Sequence, residues 1–442
     1  MMTQTISRYK LELTDGALSP SQLSDVLKHM GTRAERFRRL ESYYQGYNKR
    51  IYETSRKVGR LPVPISYGRR IVNTIIGYMF KPRNIGYSSD NEAYKEQLDD
   101  VLYANHEEIT TTELGKAASI YGVSYEIHFV GEDEDGRLVP KFVVADPKEV
   151  LGIYSYDIGD DDLIAAVRWY EIDRAQHVDV YYPDRIDKYQ MNKGGSPRFV
   201  DSVPHMYGGV PVVEYENNAE RQGDFEHIIP LIDAYDILMS DSIHEVDKLA
   251  EAYLVLTNAA IDADDVDKMR YNRIIELMEG GKAEFLVKNV NPVFLKSTQE
   301  WIKSEIHQQS QVPDMTDDAF GGNQSGIAIR YKLNSLENLC SVKEALFRRG
   351  LYERFRLVDR IMDIVWGDVG NVREIDITFT RNIPQNYVEI GQIVQALRGH
   401  VSLQTLLEEV VPFVTNAADE VERLEAETDP YVMPELTDDG DA

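Results

Sequence analysis

Residues 229–258 read IPLIDAYDILMSDSIHEVDKLAEAYLVLTN, and residues 327–366 read IAIRYKLNSLENLCSVKEALFRRGLYERFRLVDRIMDIVW. In the first stretch Ile232, Tyr235, Leu238/Met239, Ile243, Val246, Leu249/Ala250 and Tyr253 recur three and four apart, which predicts one long helix from Ile229 to Asn258. At 1.5 Å per residue it would run about 40 Å. The second stretch predicts a helix of about 60 Å if straight, with Gly350 in its middle as the candidate kink. Between the two lies a short insert, Ile261 to Val293, read as a helix (Asp265 to Met278), Gly280-Gly281 and a strand (Glu284 to Val290). A further helix, Thr298 to Gln311, stops before Val312-Pro313, and a Gly- and Asp-rich loop, Asp314 to Gly326, opens the longest helix. Long helices that bracket a small insert hold it away from the body. That layout is unusual for an enzyme.

Upstream, the first hundred residues read as helical and basic. Thr32 to Gly46 ends at a glycine stop, Leu61-Pro62-Val63-Pro64 breaks the chain, and Tyr67 to Phe80 resumes a helical pattern that Lys81-Pro82 ends. Asn91 to Tyr121 predicts one or two more helices. From Val123 to Tyr215 the texture changes to strands: Tyr125-Glu126-Ile127-His128-Phe129 alternates apolar and polar residues, and an acidic turn at 132–136 leads into Phe142-Val143-Val144 as a hairpin. Ala165 to Ile172, Val178 to Tyr182 and Val210 to Tyr215 continue the series. Downstream come a strand, Arg373 to Thr380, and an acidic helical tail, with Asp429 to Ala442 read as disordered.

The chain has 442 residues and a formal net charge of -27, with 43% hydrophobic residues, so it has room for several structural units and too much apolar content for a disordered chain. Its best apolar run, Ile71 to Phe80, is about half the length of a membrane span. The N-terminus lacks the basic and apolar regions of a signal peptide. Cys340 is the single cysteine, which excludes a disulfide framework and a multi-cysteine zinc site. The chain therefore reads as soluble and made in the cytoplasm. Charge is segregated: Gly31 to Arg70 holds eleven Lys/Arg against three Asp/Glu, whereas Asp224 to Asp267 holds twelve acids against Lys248 alone, and Val401 to Ala442 twelve against Arg423 alone. So acidic a chain does not grip phosphates over a broad basic face, though it can surround DNA without holding it.

No enzyme signature survives inspection. Gly321-Gly322-Asn323-Gln324-Ser325-Gly326 lacks the Lys-Ser/Thr ending of a phosphate loop and is read as a loop that opens a helix. The acids Asp160-Asp161-Asp162 and Asp262/Asp264-Asp265/Asp267 do not follow calcium-loop spacing, and solvated turns explain them. Cys340 is in step with Leu336 and Leu339 and reads as core. The Arg-rich stretch Arg33 to Arg60, interleaved with Tyr43, Tyr44, Tyr47 and Tyr52, is read as a contact with acids of a neighbouring copy rather than with nucleic acid.

Several local patterns, in this order, resemble the portal proteins of tailed bacteriophages, specifically the siphophage type. Tyr43-Tyr44-Gln45-Gly46-Tyr47 is similar to the family's early Tyr-Tyr-x-Gly segment, and Ile71 to Pro82 to the helix after it. Gly209-Val210-Pro211 through Asn217-Asn218, then Ile232-Asp233-Ala234-Tyr235-Asp236, resembles the passage into the first stem helix. Val312-Pro313-Asp314-Met315 followed by Asn323-Gln324-Ser325-Gly326-Ile327-Ala328 resembles the entry to the tunnel loop and long helix. It is their order that carries the resemblance.

The resemblance implies an α+β portal fold: a mixed α/β wing (1–224), a first stem helix (225–258), a small α/β clip (259–296), a second stem helix (297–312), a tunnel loop, long kinked helix and wing strand (313–386), a short helical crown (387–428) and an acidic tail (429–442). It implies a homo-oligomeric ring, usually of twelve copies, at one vertex of the phage head in the virion. Double-stranded DNA would pass through it, and the large terminase subunit and later the head-tail connector or adaptor would dock on the clip, with scaffolding and major capsid proteins as further partners. Asp317, Asp318, Phe320, Gly321, Gly322, Asn323, Gln324 and Ser325 would face DNA; Asp264, Asp265, Lys268, Arg270 and Tyr271 would form the docking clip; Arg33, Arg36, Arg38 and Arg39 would make the inter-subunit or capsid contact. No catalytic residue, cofactor, metal or membrane partner is implied. The other readings are a phage head or adaptor protein without a DNA channel, and a metal-dependent enzyme built on the Asp160 or Asp264 clusters.

Overall fold

The computed structural model describes residues 7–57, 59, 61–133, 135–157, 162–192, 195–250, 253–257, 279–286, 292–315, 326–367, 370–382, 387–411, 414 and 417–426. They fall into two compact units: residues 1–313 with 335–382, and residues 314–334 with 383–442.

In the larger unit, helix α1 (Pro20–Gln45) starts at a capping box, the Ser19 hydroxyl accepting from the Gln22 amide while the Gln22 side chain accepts from the Ser19 amide. It ends at Gly46, whose left-handed conformation (φ 83°) closes the last turn. One apolar face of α1, Leu23, Val26, Leu27 and Met30, packs on a six-stranded sheet and buries Leu151, Ile153, Val167, Val178 and Val180 with it. The strand order is β1 (Tyr9–Lys10), β5 (Val150–Tyr154), β6 (Leu163–Ile172), β7 (Ala175–Tyr181), β8 (Arg185–Met191) and β9 (Pro197–Pro204). Only β1–β5 is parallel; the rest is an antiparallel meander. Strands β8 (RIDKYQM) and β9 (PRFVDSVP) are too polar for alternation to single them out from turns.

Helices α2 (Lys49–Lys57), α3 (Tyr67–Met79), α4 (Glu92–Ala104) and α5 (Glu107–Tyr121) form the helical part. A second sheet, antiparallel throughout, has the order β10 (Val212–Glu216), β3 (Val123–Glu132), β4 (Leu138–Ala145). The strand expected at Arg373 to Thr380 is β13 (Asp376–Phe379). It pairs with β2 (Ile85–Ser88), far upstream in the chain, in a two-stranded antiparallel sheet.

Helix α6 (Ile229–Ala250) and helix α7 (Pro292–Ser310) pack side by side. His227 meets the Gln309 carbonyl and Gln299 donates to Ser242, so the helices run antiparallel. The expected helix to Asn258 is corrected: α6 ends at Ala250, and Tyr253–Thr257 is strand β11, paired with β12 (Lys282–Leu286). Tyr-Leu-Val-Leu-Thr is aromatic and β-branched, and its apolar residues satisfied helical spacing while preferring a ladder. The expected helix at Asp265 to Met278 lies outside the described residues.

Helix α8 (Gly326–Val365) has 40 residues, as expected. The smaller unit contains α9 (Tyr387–Leu397), α10 (Leu403–Glu409), which is capped by Ser402, and α11 (Ala417–Ala426). Residues 427–442 lie outside the described residues.

Candidate functional site

The buried face of α8 is charged. Arg354 is in step with Phe347, Leu351 and Val358, on the stripe that periodicity assigns to the core, and its side chain is fully buried. Its Nη2 donates to Glu126 Oε2 at 2.6 Å and its Nη1 to Glu107 at 3.0 Å and the Thr111 hydroxyl at 2.9 Å. Glu126 sits mid-strand on β3 and also meets His128 at 2.9 Å. Burial alone would raise its carboxyl, but Arg354 and His128 outweigh that and hold it below the usual range. Both polar members of the Tyr125-to-Phe129 alternation, Glu126 and His128, are therefore inside.

Four further knots tie other parts of the larger unit together. Lys343, one further stop along the same face, donates to Asp224 at 2.7 Å, Asn217 at 2.6 Å and Ser119 at 3.0 Å. Arg221, left-handed at φ 56°, pairs with Glu214 and, at 2.7 Å, with Glu216, which also receives Arg8 and Arg349. Glu214 is pulled down to about 2: burial would raise it, and Arg221 prevails. Farther along, Arg381 bridges Glu337 at 3.0 Å and Glu344 at 2.7 Å, tying β13's end to α8. Where α1 and α2 meet α6, Asn48 donates to both Asp233 and Asp236 at 2.9 Å, Tyr43 donates to Asp233 at 2.6 Å, and the Ile65 amide to Asp236 at 2.7 Å. Each of these groups has an ionic or hydrogen-bonding duty that links elements distant in sequence. The arrangement is an electrostatic clamp that fixes α8 and α6 to the sheets and the N-terminal helices, and it presents no activated nucleophile: Cys340 is buried and its thiol is pushed up to about 12 by burial.

The expected site residues divide sharply. Asp317, Asp318, Phe320, Gly321, Gly322, Asn323, Gln324 and Ser325 lie outside the described residues, as do Asp264, Asp265, Lys268, Arg270 and Tyr271. Arg33 is buried, donating to the Val150 carbonyl at 3.0 Å and the Tyr125 hydroxyl at 2.8 Å, and Arg36 pairs with Glu226 at 2.7 Å. These two are internal clamps rather than surface contacts. Arg38 and Arg39 are exposed. Gly350 sits inside an unbroken helical run, and its lack of a side chain serves packing: a Cβ there would lie 2.4 Å from Cδ1 of the buried Tyr215. Sequence reasoning missed the clamp. The signal was there in Lys343 and Arg354, charges on an apolar stripe.

Among the described residues no group of three or more His, Cys, Asp or Glu is placed to hold a metal ion, and no helix is long and apolar enough to cross a membrane. Asp160, Asp161, Asp264 and Asp265 lie outside those residues.

Two helices bracket an insert, a polar clamp ties α8 and α6 to the sheets and the N-terminal helices, and charge is strongly segregated along the chain. The chain belongs to the phage portal proteins of the SPP1 Gp6-like family, whose model matches residues 23–431. It is 26% identical over 376 residues to the portal protein of Bacillus phage SPP1, covering 78% of this chain and 72% of that protein. It is 24% identical over 396 residues to the portal protein of Clostridium phage phiCD119, covering 84% and 85%. Among solved structures, a chain of the neck of a native gene transfer agent particle, determined with C12 symmetry, aligns over 78% of this chain and 89% of that one at 12% identity and a TM-score of 0.46.

Proposed function

We propose that this chain forms the portal ring, of twelve copies, at one vertex of the virion's capsid, and that double-stranded DNA enters and leaves through its centre. The observation that carries this reading is the family match across residues 23–431, which takes in the antiparallel α6–α7 pair and the insert between them. The role is structural: the large terminase subunit supplies ATP hydrolysis while docked on the clip (Asp264, Asp265, Lys268, Arg270, Tyr271), and the head-tail connector replaces it there. Residues 317–325 brush the duplex as a tunnel loop, and residues 387–428 form a crown. Scaffolding and capsid proteins guide the ring into the shell.

The charge supports a conduit. Each Lys or Arg that neutralises a phosphate releases counterions and adds affinity, so a channel that must let DNA slide is better lined by acids. A chain with net charge -27 can supply them.

The native mass of the purified protein, with negative-stain images of the same fraction, tests the reading. Rings of about a dozen copies with a central hole are expected. A chain that stays monomeric even with scaffolding and capsid proteins present overturns it. Deleting residues 317–324 is expected to leave rings intact and to impair DNA packaging or retention; loss of rings would overturn the tunnel-loop assignment.

A further inference from the structure

The N-terminal helices of the larger unit carry a set of exposed cations. Arg38 and Arg39 at the end of α1, Arg56 and Lys57 at the end of α2, and Arg69 and Arg70 at the start of α3 are exposed, and among the described residues none of them makes an ion pair. Arg38, Arg39, Lys49 and Arg50 line a groove of about 550 Å³ together with Glu35, Glu53 and Asp233; Lys49 pairs with Glu53 and Arg50 with Asp233, which leaves Arg38 and Arg39 as its cations without an ion pair among the described residues. Beside them Tyr47 stacks on Tyr52 at 4.7 Å, both exposed. Arginine with exposed tyrosine is the composition that protein interfaces favour.

A second groove, of about 420 Å³, has the opposite sign. It is formed by the end of α4 and the β3–β4 turn, and is lined by Asp100, Glu132, Asp133 and Asp135 with Tyr103, which is 75% exposed. Its two cations are already engaged: Arg137 bridges Asp100 and Asp133, and Lys141 donates to the Ala104 carbonyl. Glu132 and Asp135 are exposed and make no ion pair among the described residues.

The two faces sit at opposite ends of α5. His106, just before its first turn, lines the acidic groove. Tyr121, its last residue, packs on Phe37 beside Arg38 and accepts from Arg36. Fifteen helical residues, roughly 22 Å, separate them, so one copy cannot satisfy its own two faces.

We propose that copies of this chain associate head to tail, the Arg38/Arg39 face of one copy meeting the Glu132/Asp135 face of the next. The contact uses two different patches, which makes it heterologous, and a heterologous contact repeated with a closing rotation generates a ring. The occupant of the basic face is a second copy because the chain itself carries the complementary acidic groove, and charge matching of this kind fixes orientation and suppresses the wrong partner. The inference rests on the ring reading above and names the surfaces that would build it.

Charge reversal tests it on the full-length chain. Arg38→Glu with Arg39→Glu, and separately Glu132→Lys with Asp135→Lys, leave buried groups untouched, so circular dichroism is expected to match the wild type. Each double variant alone is expected to need at least about tenfold more protein to assemble, read by native mass. Mixing the two in equal amounts is expected to restore assembly, because each reversed face then finds an opposite one. Rings that survive both reversals, or a mixture that stays unassembled, overturn the interface while leaving the ring reading intact. Duplex DNA binding lost in the Arg38/Arg39 variant with assembly unchanged overturns it as well. A wild-type chain that never assembles overturns the ring reading, and this contact with it.

Discussion

Gly350 of α8 lies against the ring of Tyr215 on β10, so close that a Cβ on the glycine would stand 2.4 Å from Cδ1 and 2.6 Å from Cε1. Tyr215 is fully buried and cannot swing away, and it also rests on Phe347 at 4.7 Å between ring centres. The long helix can meet the sheet only because position 350 has no side chain. Gly350→Ala, favourable for helix propensity alone, is therefore expected to destabilise the chain by about 1–3 kcal/mol through overpacking. A lowered denaturant midpoint checks this; an unchanged or raised midpoint would show that the helix can shift.

Arg354 holds the two buried carboxylates of Glu126 and Glu107, of which Glu126 also meets His128. Arg354→Met leaves Glu126 and Glu107 buried without their counter-charge, which is expected to cost about 3–5 kcal/mol. Arg354→Lys is expected to recover only part of this, since an ammonium cannot reach Glu126, Glu107 and Thr111 together. Urea unfolding of the pair of variants measures both.

Asn48 bridges a crowded acidic site, one amide nitrogen donating to both Asp233 and Asp236, while Arg50 pairs with Asp233 at 3.2 Å. Asn48→Ala is expected to cost about 1–3 kcal/mol, because two buried carboxylates each lose a donor. The loss is expected to be larger at pH 7 than at pH 4, since Asp236, pushed up to about 6 by burial and then by Asp233, is protonated at the lower pH.

Asp359 gives a pH dependence with a defined sign. Its carboxyl is pushed up from 3.8 to about 6, first by burial and further by Asp363 and Glu374. The folded chain keeps this proton to higher pH than the unfolded chain does, so its contribution to stability falls as pH rises from about 4 to about 6. Asp359→Asn stays neutral and can still accept from Tyr94. It is expected to be more stable than the wild type at pH 7, by about 1–2 kcal/mol, and to lose that advantage at pH 4. Thermal unfolding at the two pH values reads the difference. Glu214 acts in the opposite sense: depressed to about 2, its contribution is present above the ordinary glutamate range and is lost as pH falls from about 4.5 to 2.

Much of the helical architecture was legible from local pattern. Gly46, Lys81-Pro82 and Pro313 ended helices where they stand in the chain, and the stretch opening at Gly326 carried its apolar stripe through 40 residues. Strand β11 was not legible, because Tyr253-Leu254-Val255-Leu256-Thr257 fits a helical stripe as well as a ladder and only its pairing with Lys282–Leu286 decides. The Arg-rich stretch was half legible. Its basic character was plain, but nothing local separates Arg33, which turns inward to Val150 and Tyr125, from Arg38, which stays at the surface.

The sequence by itself determined the order of the elements, the segregation of charge and, through both, the family, since these depend on residues near one another in the chain. Tertiary structure decided which charges are buried and what they hold. Arg354 and Glu126 are 228 residues apart, and Lys343 and Asp224 are 119 apart. An ion pair at that separation leaves no periodic trace, and the cost of burying either charge alone is removed only when the fold brings them together.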